Sequence, residues 1–145
     1  MLFRSFFGQK DAQQVAVIKR LAQDLGFETE IVVMPTMREP SGLAMSSRNS
    51  LLSPEMRDKA AILIEALRAA KTEFKKGQRN AADLAEIVRN SLADQPAVRL
   101  DYVDVVDRDT LEPVEKIGDN EYLIVLAAYV DDVRLIDNVI LNRKQ

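Results

Sequence analysis

Two short polar segments, residues 7–14 and 42–49, constrain the fold of this chain more than any other feature. Each contains a glycine and carries a cation beside amide or hydroxyl side chains. Between them lie apolar residues at helical spacing up to Leu25 and a β-branched apolar run over 29–34 that ends at Pro35. A helix followed by a short, fully apolar strand is typical of a doubly wound α/β sheet. The two segments are therefore predicted to emerge side by side at the carboxyl ends of its strands.

The helix is predicted to begin inside the first segment. Asp11 is a suitable N-cap and Gly26 a suitable C-cap, and the apolar positions between them fall on one face. The first amide groups of a helix have no acceptor within it and carry partial positive charge. They would point toward whatever the turn from Gly8 to Asp11 holds.

Lys10 and Arg48 are the two cations that we interpret as phosphate ligands. Arg can hold two oxygen atoms in one plane, and Lys supplies a mobile point charge. Most Lys and Arg side chains are simply solvated, but Gly8 before Lys10 and the two serines before Arg48 are placements that solvation does not require. Fixed positive charge, free backbone amides and small residues together predict a site for a phosphate-rich ligand.

Several neighbouring residues have both a functional and a structural interpretation. Asp11 can accept a hydrogen bond from a ribose hydroxyl or cap its helix. One of Gln13 and Gln14 is expected to face the ligand, because successive helical residues point about 100° apart. Met37 and Met45 can flank a flat ring, although a methionine is more often core filler.

The chain changes character after Asn49. The remaining elements are predicted as a long helix over 53–76, a second helix capped by Asn80, and strands over 98–106, 122–130 and 133–141. The predicted fold class is α/β, in two domains. Residues 1–49 would be the tail of a Rossmann-like nucleotide-binding domain, a helix plus a strand. Residues 50–145 would form a small α+β domain with two helices and a three-stranded antiparallel sheet.

Composition and charge exclude several classes of function. A chain of 145 residues can bury a core, and its net charge of −3, without a dense Lys/Arg run, gives no footprint for nucleic acid. No apolar run is long enough to predict a membrane partner. The absence of cysteine suits the cytosol and removes thiolate chemistry, and the absence of histidine removes the commonest general acid–base and nitrogen metal ligand. Arg38 and Glu39 are predicted to form an exposed ion pair of little energetic value, and the acidic residues of 101–109 a solvated face.

At the two polar segments the chain resembles the pantothenate synthetases, the ATP-dependent ligases that join pantoate to β-alanine. The likeness is carried by Phe7-Gly8-Gln9-Lys10-Asp11-Ala12-Gln13-Gln14, Val33-Met34-Pro35-Thr36-Met37-Arg38, Gly42-Leu43-Ala44-Met45-Ser46-Ser47-Arg48-Asn49 and Asp132-Val133-Arg134-Leu135-Ile136-Asp137-Asn138. These stretches run in order and at the family's spacing from Phe6 almost to the C-terminus. The combination is specific, although Ser-Ser-Arg-Asn alone would be weak.

The resemblance implies a Rossmann-like N-terminal domain and a smaller C-terminal domain that closes over the site. It implies that ATP and pantoate give pantoyl adenylate and pyrophosphate with Mg²⁺, and that the amine of β-alanine then displaces AMP. The full-length enzyme would be a cytoplasmic homodimer that makes a coenzyme A precursor. The resemblance assigns pantoate to Gln14, names no metal-binding residue, and assigns ATP to Gly8, Gln9, Lys10, Asp11, Met37, Met45, Ser46, Ser47 and Arg48.

The chain departs from the family in one large respect. The His-x-Gly-His turn of the family's N-terminal half has no counterpart here, because the chain contains no histidine, so no catalytic residue is carried over. Residues 1–5 carry no start-of-domain signal and are interpreted as the remnant of a truncation, with a native short N-terminus as the alternative. We expect a C-terminal fragment with negligible ligase activity alone. Two other hypotheses stay open: a stand-alone nucleotide-binding module without chemistry, and an interaction domain whose first 50 residues are vestigial.

Overall fold

The computed structural model describes residues 3–142, so the first two residues of the interpreted N-terminal remnant lie outside it. In chain order its elements are β1 (Phe3–Gly8), α1 (Ala12–Asp24), β2 (Thr29–Met34), a 3₁₀ helix η1 (Ser47–Leu51), α2 (Pro54–Ala60), α3 (Ile62–Lys75), α4 (Ala81–Ala93), β3 (Val98–Asp107), β4 (Tyr122–Val130) and β5 (Val133–Leu141). The strands form a two-stranded sheet, β1–β2, and a three-stranded sheet, β3–β4–β5. The predicted fold class is confirmed. Of the helices between residues 3 and 142, none has both the length and the apolar character needed to cross a membrane.

The N-terminal unit is a β1–α1–β2 crossover. β1 and β2 are parallel, with Phe3 opposite Thr29 at one end and Gly8 opposite Met34 at the other. Parallel neighbours need a crossover connection, which α1 provides. The sequence pattern does not predict β1, because apolar and polar residues do not alternate along Phe3-Arg4-Ser5-Phe6-Phe7-Gly8.

The β1–α1–β2 unit exposes much apolar surface. Phe3 and Phe6 are 60% and 63% exposed, and α1 presents Val17 and Leu21 to solvent, as does Leu25 just after it. Within α1 only Val15 is buried. Parallel sheets are ordinarily covered on both faces, so this unit has less buried apolar area to hold it together than the C-terminal part of the described chain.

The predicted long helix over 53–76 is two helices in the structure, α2 and α3. The Ser53 hydroxyl caps α2 by accepting from the Met56 N–H at 3.3 Å, and Pro54 takes the first helical position. At Ala61 the backbone N–H donates to the Asp58 carbonyl, three residues back, at 3.2 Å. One tight 3₁₀-type turn therefore separates the helices. The spacing of apolar residues does not predict this turn, because it indicates which face of a helix is buried. It does not indicate whether one residue bonds three or four positions back.

The main core lies between α3, α4 and one face of the antiparallel sheet. β4 is central, since β3 and β5 both pair with it antiparallel. Asn80 caps α4 as predicted, its side-chain oxygen accepting from the Asp83 N–H at 3.1 Å. The fully buried large side chains of this core include Leu63, Leu67, Phe74, Leu84, Val88, Ile124 and Leu126.

The opposite face of the antiparallel sheet meets the N-terminal unit. Asp104, Val125 and Asn138 form a row across β3, β4 and β5, and this row lines a cleft together with the first turn of α1. The predicted domain boundary after Asn49 falls inside η1. The division into two domains stays a prediction.

The uneven distribution of buried surface predicts uneven backbone protection. We expect amides of α1 and β1 to exchange with solvent at least about tenfold faster than those of α3, α4 and β4, because local opening of the N-terminal unit exposes little additional apolar area. Hydrogen exchange followed by NMR measures both sets in one sample, so each is the control for the other. Uniform protection across the two parts would contradict the expectation.

Candidate functional site

The first polar segment forms the turn between β1 and α1. The Gln9 N–H donates to the Met34 carbonyl at 2.8 Å, and the Asp11 N–H donates to the Gly8 carbonyl at 3.3 Å. These bonds start α1 immediately after Lys10 and direct its first turn into the cleft. Asp11 occupies the predicted N-cap position, but its side chain makes no capping hydrogen bond. The Asp11 carboxylate is therefore available to a ligand.

The second polar segment begins as a tight hairpin-like turn packed against α3. The Met45 N–H donates to the Met37 carbonyl at 2.9 Å, and the Glu39 N–H donates to the Leu43 carbonyl at 2.8 Å. Gly42 has a φ of +94°, and a Cβ at this position would lie 3.2 Å from Cγ2 of Ile64. Both the left-handed backbone and the close approach to α3 require glycine here.

The segment continues into η1, which a set of polar contacts fixes. The Ser46 hydroxyl caps η1 by accepting from the Arg48 N–H at 3.2 Å. Asn49 is buried, and its side-chain amide donates to Glu39 at 2.7 Å and to the Ala44 carbonyl at 3.1 Å. The Asn49 amide, together with the Arg57 guanidinium, lowers the pKa of Glu39. Glu39 therefore stays ionised and holds the base of the segment.

Lys10 and Arg48 lie on the same side of the molecule. The Lys10 ammonium donates to the Met45 carbonyl at 3.1 Å, which joins the first segment to the second. Partial burial lowers the pKa of Lys10; Asp11 and Asp137 oppose this shift, and the nearby charge of Arg48 adds to it. The guanidinium of Arg48 donates to the Arg134 carbonyl of β5 at 3.2 Å. The two cations thus share one local electrostatic environment.

Most of the other predicted ligand residues are open to solvent near these cations. Met37 and Met45 are 73% and 51% exposed, which argues against a role as core filler. Ser47 is exposed, while Gln13 and Gln14 both line the cleft. The structure brings these residues into one region; their roles as ATP or pantoate ligands remain predictions.

Gln9 is placed differently from the other predicted ligand residues. Its side chain is buried, and its amide group donates to the Asn138 side chain at 3.3 Å. Arg108 donates to the Gln9 side-chain oxygen at 3.5 Å. The Gln9 side chain therefore holds the turn to Asn138 and Arg108, and it does not line the cleft.

The prediction that Arg38 and Glu39 form an exposed pair of little value is wrong. Arg38 is largely buried and donates two hydrogen bonds to Asp137, at 2.7 and 3.0 Å. Glu39 instead accepts from Asn49 and from Arg57, the latter at 2.8 Å. The sequence did contain a signal for this: Asp137 and Asn138 interrupt the apolar run between Leu135 and Leu141, and buried polar residues need partners.

The cleft has a volume of about 380 Å³. One wall is the first turn of α1 with Lys10 and Asp11, and the other is the open face of the antiparallel sheet. Its lining combines apolar side chains with a few charged ones, as small-molecule sites do. The sheet-side lining is Tyr102, Asp104, Val106, Leu111, Pro113, Val125, Leu126, Ile136, Asp137 and Asn138.

A β–α–β crossover that directs a helix N-terminus and Lys10 into one cleft, with the charge of Arg48 near Lys10, defines an α/β ligand-binding protein suited to anions. The chain belongs to the pantoate–β-alanine ligase family, whose profile matches residues 3–140. It is 48% identical to the pantothenate synthetase of Thermotoga neapolitana over 138 residues, which is 95% of this chain and 49% of that protein.

Solved structures agree with this assignment. Pantothenate synthetase from Thermus thermophilus superposes with a TM-score of 0.86 at 38% identity, over 96% of this chain and 50% of that one. Pantoate–β-alanine ligase from Francisella tularensis, complexed with β-γ ATP and β-alanine, superposes with a TM-score of 0.62 at 31% identity, over 98% of this chain and 44% of that one. The chain thus spans about half the length of the curated relatives it matches.

Proposed function

We propose that this chain is the part of an AMP-forming pantoate–β-alanine ligase that grips the phosphates of ATP, and that it is inactive alone. The observation that carries the proposal is the meeting of the two polar segments, with Lys10 bonded to the Met45 carbonyl and Arg48 close by. These segments are 35 residues apart in sequence at this contact. Leu43 and Ala44 of the second segment are buried, whereas the side chain of Arg48 is exposed, so burial of apolar surface does not account for the position of this cation beside Lys10.

The electrostatics of this region support an anionic ligand. Partial burial and the nearby charge of Arg48 lower the pKa of Lys10. A triphosphate would oppose this shift by pairing with both cations, and the amides of the first turn of α1 would add hydrogen bonds. Met37 and Met45, joined through their backbones, would lie along the adenine ring.

Magnesium is proposed to accompany the nucleotide. No cluster of three or more potential metal-ligating side chains exists among residues 3–142, which fits an ion held mainly by phosphate oxygens and water with one protein carboxylate. Asp11, exposed and without a capping bond, is the residue that would hold it. When bound, the ion would supply further neutralisation of the phosphate charge.

In the proposed reaction the carboxylate of pantoate attacks the α-phosphorus of ATP and pyrophosphate leaves, giving pantoyl adenylate. The amine of β-alanine then attacks the acyl carbon and releases AMP. Negative charge builds on the α-phosphate and the leaving pyrophosphate, so Lys10 and Arg48 would stabilise the transition state by charge neutralisation. Gln14 would hold pantoate beside the α-phosphate, a contribution from positioning.

Nucleotide binding by the chain tests this proposal directly. In calorimetric titrations with ATP and Mg²⁺, Arg48→Ala should weaken binding by about tenfold or more, since charge-assisted hydrogen bonds contribute about 1.5–3 kcal/mol. The matched control is Arg20→Ala, which removes an exposed arginine of α1 paired with Asp24 and should leave the affinity unchanged. The absence of heat with the unsubstituted chain, or equal affinities for the two variants, would contradict the proposal.

A further inference from the structure

We propose that Asp137 and Asn138 of β5 are positioning residues that lock the two phosphate-gripping segments to each other and to the antiparallel sheet. The inference rests on the proposed function and adds two residues to it. Both side chains are 4% exposed. Their partners lie about a hundred or more positions away in sequence, in residues 9–10 and 38.

Asn138 holds the first segment. Its side-chain amide donates to the Gln9 carbonyl at 3.1 Å and to the Lys10 carbonyl at 3.0 Å. Its side-chain oxygen accepts from the Gln9 amide at 3.3 Å. Two of these hydrogen bonds fix two successive peptide groups of the turn, and the third holds the side chain of Gln9.

This arrangement sets the direction of the amides that would meet a ligand. All described peptide bonds are trans, and in a trans peptide the carbonyl and the N–H point in opposite directions. With the Gln9 carbonyl held toward β5, the Lys10 N–H points away from β5. Asn138 thus orients the turn through the carbonyls of Gln9 and Lys10.

Asp137 holds the second segment. Its carboxylate accepts two hydrogen bonds from the Arg38 guanidinium, which also donates to the Gly42 carbonyl at 3.1 Å. The same carboxylate accepts from the Asn138 N–H at 2.8 Å. Arg38 thereby links Gly42, which begins the second segment, to Asp137. The next residue, Asn138, holds the first segment.

Strand geometry explains how adjacent residues reach two different segments. Successive side chains of a strand point to opposite faces of the sheet. Asn138 lies in register with Val125 and faces the turn before α1, whereas Asp137 lies in register with Leu126, on the helix side, where Gly42 approaches Ile64 of α3. Pairing with β4 requires neither polar side chain, and burying them is costly unless they are bonded. Asn138 finds its partners in the first segment, and Asp137 finds its partner in Arg38, which in turn holds the Gly42 carbonyl.

The test separates positioning from simple stabilisation. Asn138→Ala, and Asn138→Leu in case the smaller side chain prevents folding, should accelerate exchange of the Gln9 and Asp11 amides, which are bonded to the Met34 and Gly8 carbonyls. Both variants should also weaken binding of ATP with Mg²⁺ by about tenfold, the effect of losing two carbonyl-directed hydrogen bonds. The matched control is Val88→Ala, which removes fully buried volume in α4 far from the turn. It should lower the unfolding midpoint without changing either readout.

Each outcome bears on the proposal. If the Asn138 variants and Val88→Ala give the same exchange at Gln9 and Asp11 and the same ATP affinity, Asn138 is only structural and the inference is overturned. If the unsubstituted chain binds no ATP, the proposed function is wrong. Amide exchange in the turn before α1 still tests whether Asn138 positions that turn. In the unsubstituted chain, the side-chain amide protons of Asn138 should themselves be protected from exchange; rapid exchange there would overturn the inference without any variant.

Discussion

The chain alone should form no detectable pantothenate from ATP, pantoate and β-alanine, and activity should appear when the half of a related ligase that the chain does not match is supplied. The partner to use is the half of the Thermotoga neapolitana relative that this chain does not match. The expected change runs from no measurable product to steady turnover. Product is followed together with AMP release, because the proposed reaction yields one AMP for each pantothenate.

The structure gives the physical reason for this expectation. The chain contains no histidine, so the commonest general acid–base is absent from it. The β1–α1–β2 unit has only two strands and leaves Phe3, Phe6 and Leu21 in contact with solvent. A parallel sheet of this size needs further strands and helices to bury such side chains. A complementing half that packed there would complete both the sheet and the cleft.

Two further samples make the result decisive. A fusion that joins the complementing half in front of Phe3 distinguishes poor association from absent chemistry: an active fusion beside an inactive mixture shows that the halves fail to associate. An inactive fusion that is folded would refute the ligase proposal.

Adding Arg48→Ala to the active sample should lower turnover by about tenfold or more. Product formation by the unsubstituted chain on its own would show that the proposed inactivity is wrong.

Asp137→Ala should lower the free energy of unfolding by about 3 kcal/mol, the lower end of the cost of removing one partner from a buried ion pair. Asp137 is almost fully buried, and the substitution leaves the largely buried Arg38 guanidinium without its carboxylate. The Asn138 N–H loses an acceptor as well. Urea denaturation, with the slope compared between variants, measures the loss.

Asp101→Ala provides a matched control within the same sheet. Asp101 of β3 pairs with Arg134 of β5 at 2.9 Å, and both side chains are nearly 40% exposed. Water screens such a pair, so its loss should cost no more than about 1 kcal/mol. Equal losses for the two aspartates would show that burial does not decide the value of these ion pairs in this protein.

The polar segments illustrate how far sequence reasoning reaches. Lys10 and Arg48 are recognisable from their glycine and serine neighbours, and the helix and strand between the segments imply that the segments meet. Asn49 and Asp137 could not be evaluated in the same way, because their value depends on burial, which residues distant in sequence create. The predicted pairing of Arg38 with Glu39 is wrong for the same reason. Arg38 is next to Glu39 in sequence, but it pairs with the carboxylate of Asp137, 99 residues away.

By itself, the sequence determined the local elements and the family. Periodicity, caps and turn residues act over a few positions, so α1, β2, α4 and the three antiparallel strands follow from them. Only the tertiary structure decided that β1 is a strand, since its pairing with β2 depends on a neighbour more than 20 residues away. It also decided that Asp137 and Asn138 hold both polar segments. That outcome rests on the cost of burying unpaired polar groups, which exists only once the sheet and the crossover have come together.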